Sequence, residues 1–204
     1  IEIIKHLDSS FPENTLYPTE GMSRSIVDEL LEMADESQGA IKLLTHDLLF
    51  RPSRLPMKIS FNKFADKHGN SDLVEFKNRF VNNEFTEQEI ATAAQAVLDS
   101  FAKIESYLHK HSTSNKGCMA GENFSLADIA WMVNVHRLCL MGFPLKQYPF
   151  LAKWYLASQQ RECFKKGLVD YEPMVMRIYA RINRIFNKPK IKRLFEQKEV
   201  LKSA

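Results

Sequence analysis

Apolar positions along the chain recur mostly at spacings of three and four residues, the period of helices with one buried face. Between about Met22 and Phe50 they fall at 26, 30, 33/34, 41, 44 and 48, which predicts one long helix with Gly39 as a candidate kink. Ile1, Ile4 and Leu7 share a helical face ahead of the breakers in DSSFPENTLYP. The chain is therefore expected to open on the end of a helix, followed by an extended linker with Pro12 and Pro18. Residues 51–71 lose regularity around two prolines and a Gly-Asn pair, and read as a long connection or insertion with a short helix at 72–81. No alternating stretch of five or more residues marks a strand, so the fold class is mainly α.

Two helices open with the same device. Thr86 and Glu89 form a capping box, with Phe85 and Ile90 at the positions of a hydrophobic staple. An apolar stripe of Ile90, Ala94, Val97, Phe101, Ile104 and Leu108 follows. Ser125 and Asp128 repeat that spacing, with Phe124 and Ile129 as the staple. A hydroxyl beside a carboxylate can also suggest a nucleophile, but no histidine lies close in sequence to activate Ser125. The pair reads as a helix start. The helix after it is apolar on nearly every face and belongs in the middle of a bundle. STSNKGCMAGEN reads as a loop. A helix from Pro149 is capped by Gly167, and one more opens at Pro173 and is interrupted near Pro189.

Composition changes this picture little and charge changes it more. At 204 residues and 45% hydrophobic content the chain can bury a sizeable core. No run approaches 18 apolar residues and no signal-peptide pattern is visible. Three cysteines without metal-type spacing suit reduced thiols in a cytoplasmic protein. The net charge of +3 is uneven: residues 174–204 hold nine Lys or Arg against two Glu, a net of +7, so the preceding residues carry −4. Arg177, Arg181 and Arg184 run beside Ile178, Ile182 and Ile185. The expectation is a terminal helix that packs its isoleucines on its own domain and leaves the arginines in water. Contact of 174–204 with an anionic membrane is the alternative. Nucleic-acid binding is not expected, because no aromatic interleaving accompanies the charge.

Met119-Ala120-Gly121-Glu122-Asn123-Phe124-Ser125-Leu126-Ala127-Asp128-Ile129 resembles the C-terminal signature of soluble glutathione S-transferases, and Tyr148-Pro149-Phe150-Leu151-Ala152-Lys153-Trp154 resembles a later element of that family. IEIIKHLDSSFPENTLYP resembles the close of its thioredoxin-like domain. The resemblance covers roughly 1–50 and 85–173. A long insertion and the His136–Phe143 stretch are also similar to the ganglioside-induced differentiation-associated branch. The resemblance implies a helical bundle of the C-terminal type at 22–173 with an insertion at about 51–84. Ahead of it would come a thioredoxin-like remnant at 1–11 and a linker at 12–21, and basic amphipathic helices would follow at 174–204.

It also implies a homodimer, glutathione as substrate, a small hydrophobic electrophile as partner, and no metal. The thiol-activating residue is expected upstream of Ile1. The inner face of the 22–50 helix would wall the electrophile pocket, with Met33, Ser37, Ala40, Leu44 and His46 as candidates beside the reading of Met33 and Leu44 as plain core. Glu36 is the candidate for contact with glutathione across a dimer. His136-Arg137 reads as a satisfied polar pair, and His109 and His111 do not share a face for metal ligation. Cys118 lies in a loop, where an exposed thiol is one reading.

Overall fold

The computed structural model describes residues 1–111 and 117–196, apart from the side chains of Asn14 and Met22. Residues 112–116 of the expected loop, and Lys198 and Lys202 of the basic end, lie outside the described residues. Among the described residues ten α-helices run α1 (Glu2–Ser10), α2 (Gly21–Thr45), α3 (Arg54–Ala65), α4 (Ser71–Asn82), α5 (Glu87–Lys110), α6 (Leu126–Met141), α7 (Pro149–Gln159), α8 (Glu162–Gly167), α9 (Met174–Phe186) and α10 (Lys188–Phe195). No strand occurs among the described residues.

The centre is a packing of α2, α5 and α6. Helix α6 is apolar on almost every side because it lies between neighbours: Trp131, Val135 and Leu138 are completely covered. Its polar groups are matched by carbonyls of α2 that face them. Trp131 Nε1 donates to Leu30 O at 2.9 Å and Asn134 Nδ2 to Ala34 O at 3.3 Å. Helix α5 supplies the predicted stripe, and Phe101 meets Phe143 and Trp131 edge-on. Its Thr86–Glu89 box is formed, with Glu89 N–H on Thr86 Oγ1 and Thr86 N–H on Glu89 Oε2. That bond and Arg79 hold the Glu89 carboxyl down at about 2.

Three expectations about elements change. Gly39 does not interrupt α2, which runs through it and ends in a π-helical turn, His46–Phe50. Residues 54–65 are helical, because Pro56 falls in the first turn of α3, where backbone N–H groups have no intrahelical partner to lose. They form a hairpin with α4, which closes on the left-handed Asn83. The helix expected from Pro149 to Gly167 is split at Gln160–Arg161; Arg161 adopts an extended backbone, crosses Phe124 and reaches Cys118 Sγ at 3.6 Å.

Helix α1 and the linker are fastened at defined points. Asp8 accepts from the N–H groups of Leu16 and Tyr17, and Leu126 N–H donates to Leu16 O. Lys5, Arg24 and the Tyr17 hydroxyl all converge on Asp28. Ile1 and Ile4 pack on the core, but Leu7 does not share their environment: with Ile3 (76% exposed) and Phe11 (69%) it faces solvent.

Candidate functional site

Asp128 is the most connected side chain of the signature stretch. It is fully buried and takes four donors: Ser125 N and Oγ at 2.9 Å each, Met119 N at 2.8 Å and Trp154 Nε1 at 2.8 Å. The carboxylate starts α6, closes the loop ahead of it and anchors α7. Burial pushes its pKa up, opposed by these bonds from Trp154, Met119 and Ser125. Ser125 donates its hydroxyl to Asp128 and is itself covered, so the pair is structural.

The side chains of α2 divide between two sides of the helix, and its pocket candidates lie on one of them. Asp28 and Asp35 face α1, through Lys5 and the Ile1 amino group. Ser37, two residues and about 200° further round, faces Ser100 of α5 at 3.3 Å and donates to Met33 O. The line Met33, Ser37, Ala40 and Leu44 therefore points away from α1. Leu44 is completely covered, Ser37 is buried, and Met33 and Ala40 are half-buried at the rim. Glu36 is exposed.

His46 sits in an aromatic cage, its ring edge-on to Phe50, Phe76 and Phe80 with centroids 4.8–5.5 Å away. Its Nδ1 lies 2.8 Å from Lys42 O. Burial, the largest effect, lowers its pKa from the ordinary 6.5, against that hydrogen bond.

A second cluster was only partly legible. The sequence singled out His136 and Arg137 as a pair, but the structure sends them to opposite neighbours. Arg137 Nη2 reaches Thr45 Oγ1 at 3.5 Å, while His136 bridges Tyr155 Oη at 2.7 Å and Glu172 Oε1 at 2.6 Å. An ionised carboxylate only accepts, so in the neutral ring Nε2 carries the proton and Nδ1 accepts from the Tyr155 hydroxyl. Arg177 continues the chain to Glu172 at 3.6 Å. These groups line a cleft of about 370 Å³ with Cys139, Arg181 and Arg184. Burial pushes the Cys139 thiol up to about 12, so it is no nucleophile there. Nothing in the sequence spacing of 136, 155 and 172 announces this triad.

Helix α9 reverses an expectation. Its isoleucines do not pack on the domain: Ile178, Ile182 and Ile185 point outward, and Ala180 and Asn183 are the buried positions. The reason is polar. Asn183 Nδ2 donates to Leu49 O and Asn187 Nδ2 to Leu48 O, both in the π-helical turn, and Arg184 lies against Gly142. Those bonds and the Glu172–Arg177 pair set the rotation of the helix.

Cys118 is buried at 3% exposure instead of being an exposed loop thiol, and burial raises its pKa. His109 stacks on Phe150, and His111 packs against Tyr107. Among the described residues no group of three or more His, Cys, Asp or Glu could hold a metal, and no helix is long and apolar enough to cross a membrane.

A solved structure of FzlA from C. crescentus is similar with a TM-score of 0.51 at 20% identity, over 84% of this chain and 64% of that one. That likeness is one of fold, and the chain spans less than two thirds of that protein's length. A family model, the glutathione S-transferase C-terminal domain, matches residues 53–162, from the α3–α4 hairpin through the Asp128 hub to the start of α8. With its all-α bundle and the Ser125–Asp128 start of its central helix, the chain belongs to the glutathione S-transferase C-terminal domain family.

Proposed function

We propose that the chain is the helical part of a glutathione S-transferase-like protein, cytoplasmic and dimeric, that joins the glutathione thiolate to a small hydrophobic electrophile. The observation that carries this reading is the two-sidedness of α1. One face, Ile1, Ile4, Lys5 and Asp8, is tied to α2 and the linker, while Ile3, Leu7 and Phe11 face away and uncovered. A thioredoxin-like domain ending in α1 would cover that second face and bring the group that lowers the thiol pKa.

On this reading Met33 and Ala40, at the rim of α2, are the side chains left able to touch the electrophile, and exposed Glu36 is available to glutathione across a dimer. Leu44 contributes only packing. In the full natural protein, Met33→Asp is expected to raise KM for a chromogenic electrophile about tenfold while glutathione affinity measured by calorimetry stays unchanged. A full protein that shows no turnover and binds no glutathione by calorimetry would sink the proposal. A second reading, a glutathione S-transferase-like binding module without conjugation, is favoured by the outward apolar face of α9.

A further inference from the structure

Helix α9 displays a continuous apolar stripe. Met174, Val175, Ile178, Ile182, Ile185 and Phe186 are each 48–79% exposed. At about 100° per residue they fall within one sector of the helix roughly 120° wide. Scattered exposed apolar residues are ordinary on a protein surface, but a contiguous stripe marks an interaction face. Arg181 borders it, and exposed Lys188 continues from its end into α10, where Lys192 and Arg193 are exposed too but lie against Glu196 and Glu87. From Met174 to Phe195 the chain has seven Lys or Arg and no acidic residue.

We infer that α9 and the start of α10 lie on the surface of an anionic membrane. The stripe enters the boundary between headgroups and acyl chains, and the cations rest against lipid phosphates and carboxylates. Charge complementarity selects this occupant. A second copy pairing α9 on α9 would press two borders of like charge together, whereas an anionic leaflet complements the charge of Arg181 and Lys188. Tyr171 and Phe186, 82% and 79% exposed, bracket the helix with aromatic rings suited to the headgroup level. The helix is already turned for this role. Its inner polar groups, Asn183 and Asn187, are bonded to the carbonyls of Leu49 and Leu48, so the apolar side needs no unfolding to reach lipid. It lies on the bilayer, since no described helix is both long and apolar enough to span one. The inference does not depend on conjugation chemistry.

Flotation of the full natural protein with two kinds of vesicle tests it: phosphatidylcholine alone, and phosphatidylcholine with about one-third phosphatidylserine. The protein is expected to float with the anionic vesicles and stay behind with the neutral ones, and to be released by high salt. Ile182→Asp/Ile185→Asp changes exposed positions only and should reduce the bound fraction at least tenfold. Arg181→Glu/Lys188→Glu should do the same at low salt, and carries the test if circular dichroism shows that the first variant has lost helix. Equal binding to both vesicle types, or unchanged binding by either folded variant, overturns the inference. So does a parent protein that ignores vesicles but sediments as a dimer that Ile182→Asp/Ile185→Asp dissolves, because the stripe then belongs to a second copy.

Discussion

Asp128 joins four donors from three places in the chain, and its value lies in which atoms they meet. Oδ1 takes Met119 N and Trp154 Nε1, and Oδ2 takes Ser125 N and Oγ. Asp128→Asn preserves shape, yet either orientation of its amide turns an NH2 group towards a backbone N–H. The loss should be about 2–3 kcal/mol, because buried donors are left without an acceptor. Urea unfolding measures it, and a variant within about 0.5 kcal/mol of the parent would contradict the hub. His46 gives a pH dependence of defined sign. Its folded pKa lies below the ordinary 6.5, so the unfolded chain takes up the proton first. Stability from this group is complete above about pH 6.5, falls as pH drops through that value, and levels off once the folded ring is protonated. Comparing urea midpoints at about pH 7.5 and about pH 5.5, His46→Phe should lose less than the parent. An equal loss would place the acid sensitivity elsewhere. The capping role of Ser125 and Asp128 was legible at this scale because a capping box is a local pattern of four consecutive residues. Trp154 as the fourth donor was not, because it arrives from 26 positions away.

The elements show how one irregular turn organises distant helices. The π-helical end of α2 carries Asp47, whose side chain is buried at 3% exposure and paired with Arg51. Lys190 of α10 places its ammonium 2.7 Å from the same carboxylate and also reaches Glu87, which binds Arg193 as well. The same turn offers the carbonyls of Leu48 and Leu49 to α9. Asp47→Ala leaves Lys190, only 18% exposed, with Glu87 alone, and should cost about 2–3 kcal/mol. The companion Asp47→Leu/Lys190→Met should recover most of that loss, since an apolar pair of similar volume replaces the ions. If both variants unfold at the parent's urea midpoint, the network contributes nothing. Helix α3 is hidden in the sequence because Pro56 has the look of a breaker. Its position within the first turn, which depends on where the helix starts, made it harmless. Helix α9 has the amphipathic residues the sequence predicts, turned the other way. Its amphipathic period says that two faces differ, and only the bonds to the π turn decide which face turns inward.

At the scale of the whole molecule, α1 and α9 each expose an apolar face, at opposite ends of the described chain in sequence and of unlike character. The α1 face, Ile3, Leu7 and Phe11, is where a thioredoxin-like domain is proposed to dock. The α9 face carries a cationic border and is assigned to lipid. The proposed functions therefore separate experimentally: turnover and glutathione binding report on the first, and vesicle flotation on the second.

The sequence by itself determined the helical class, both N-terminal capping boxes, the buried central helix and the family, because these rest on contacts within a few residues and on the period of apolar positions. Tertiary structure alone decided that Met33, Ser37, Ala40 and Leu44 face away from α1, that His136 and Arg137 part company, and that the isoleucines of α9 meet solvent. Each of those depends on the rotation of one helix against another. That rotation is set by hydrogen bonds and ion pairs between residues far apart in the chain, a distance across which local periodicity carries no information.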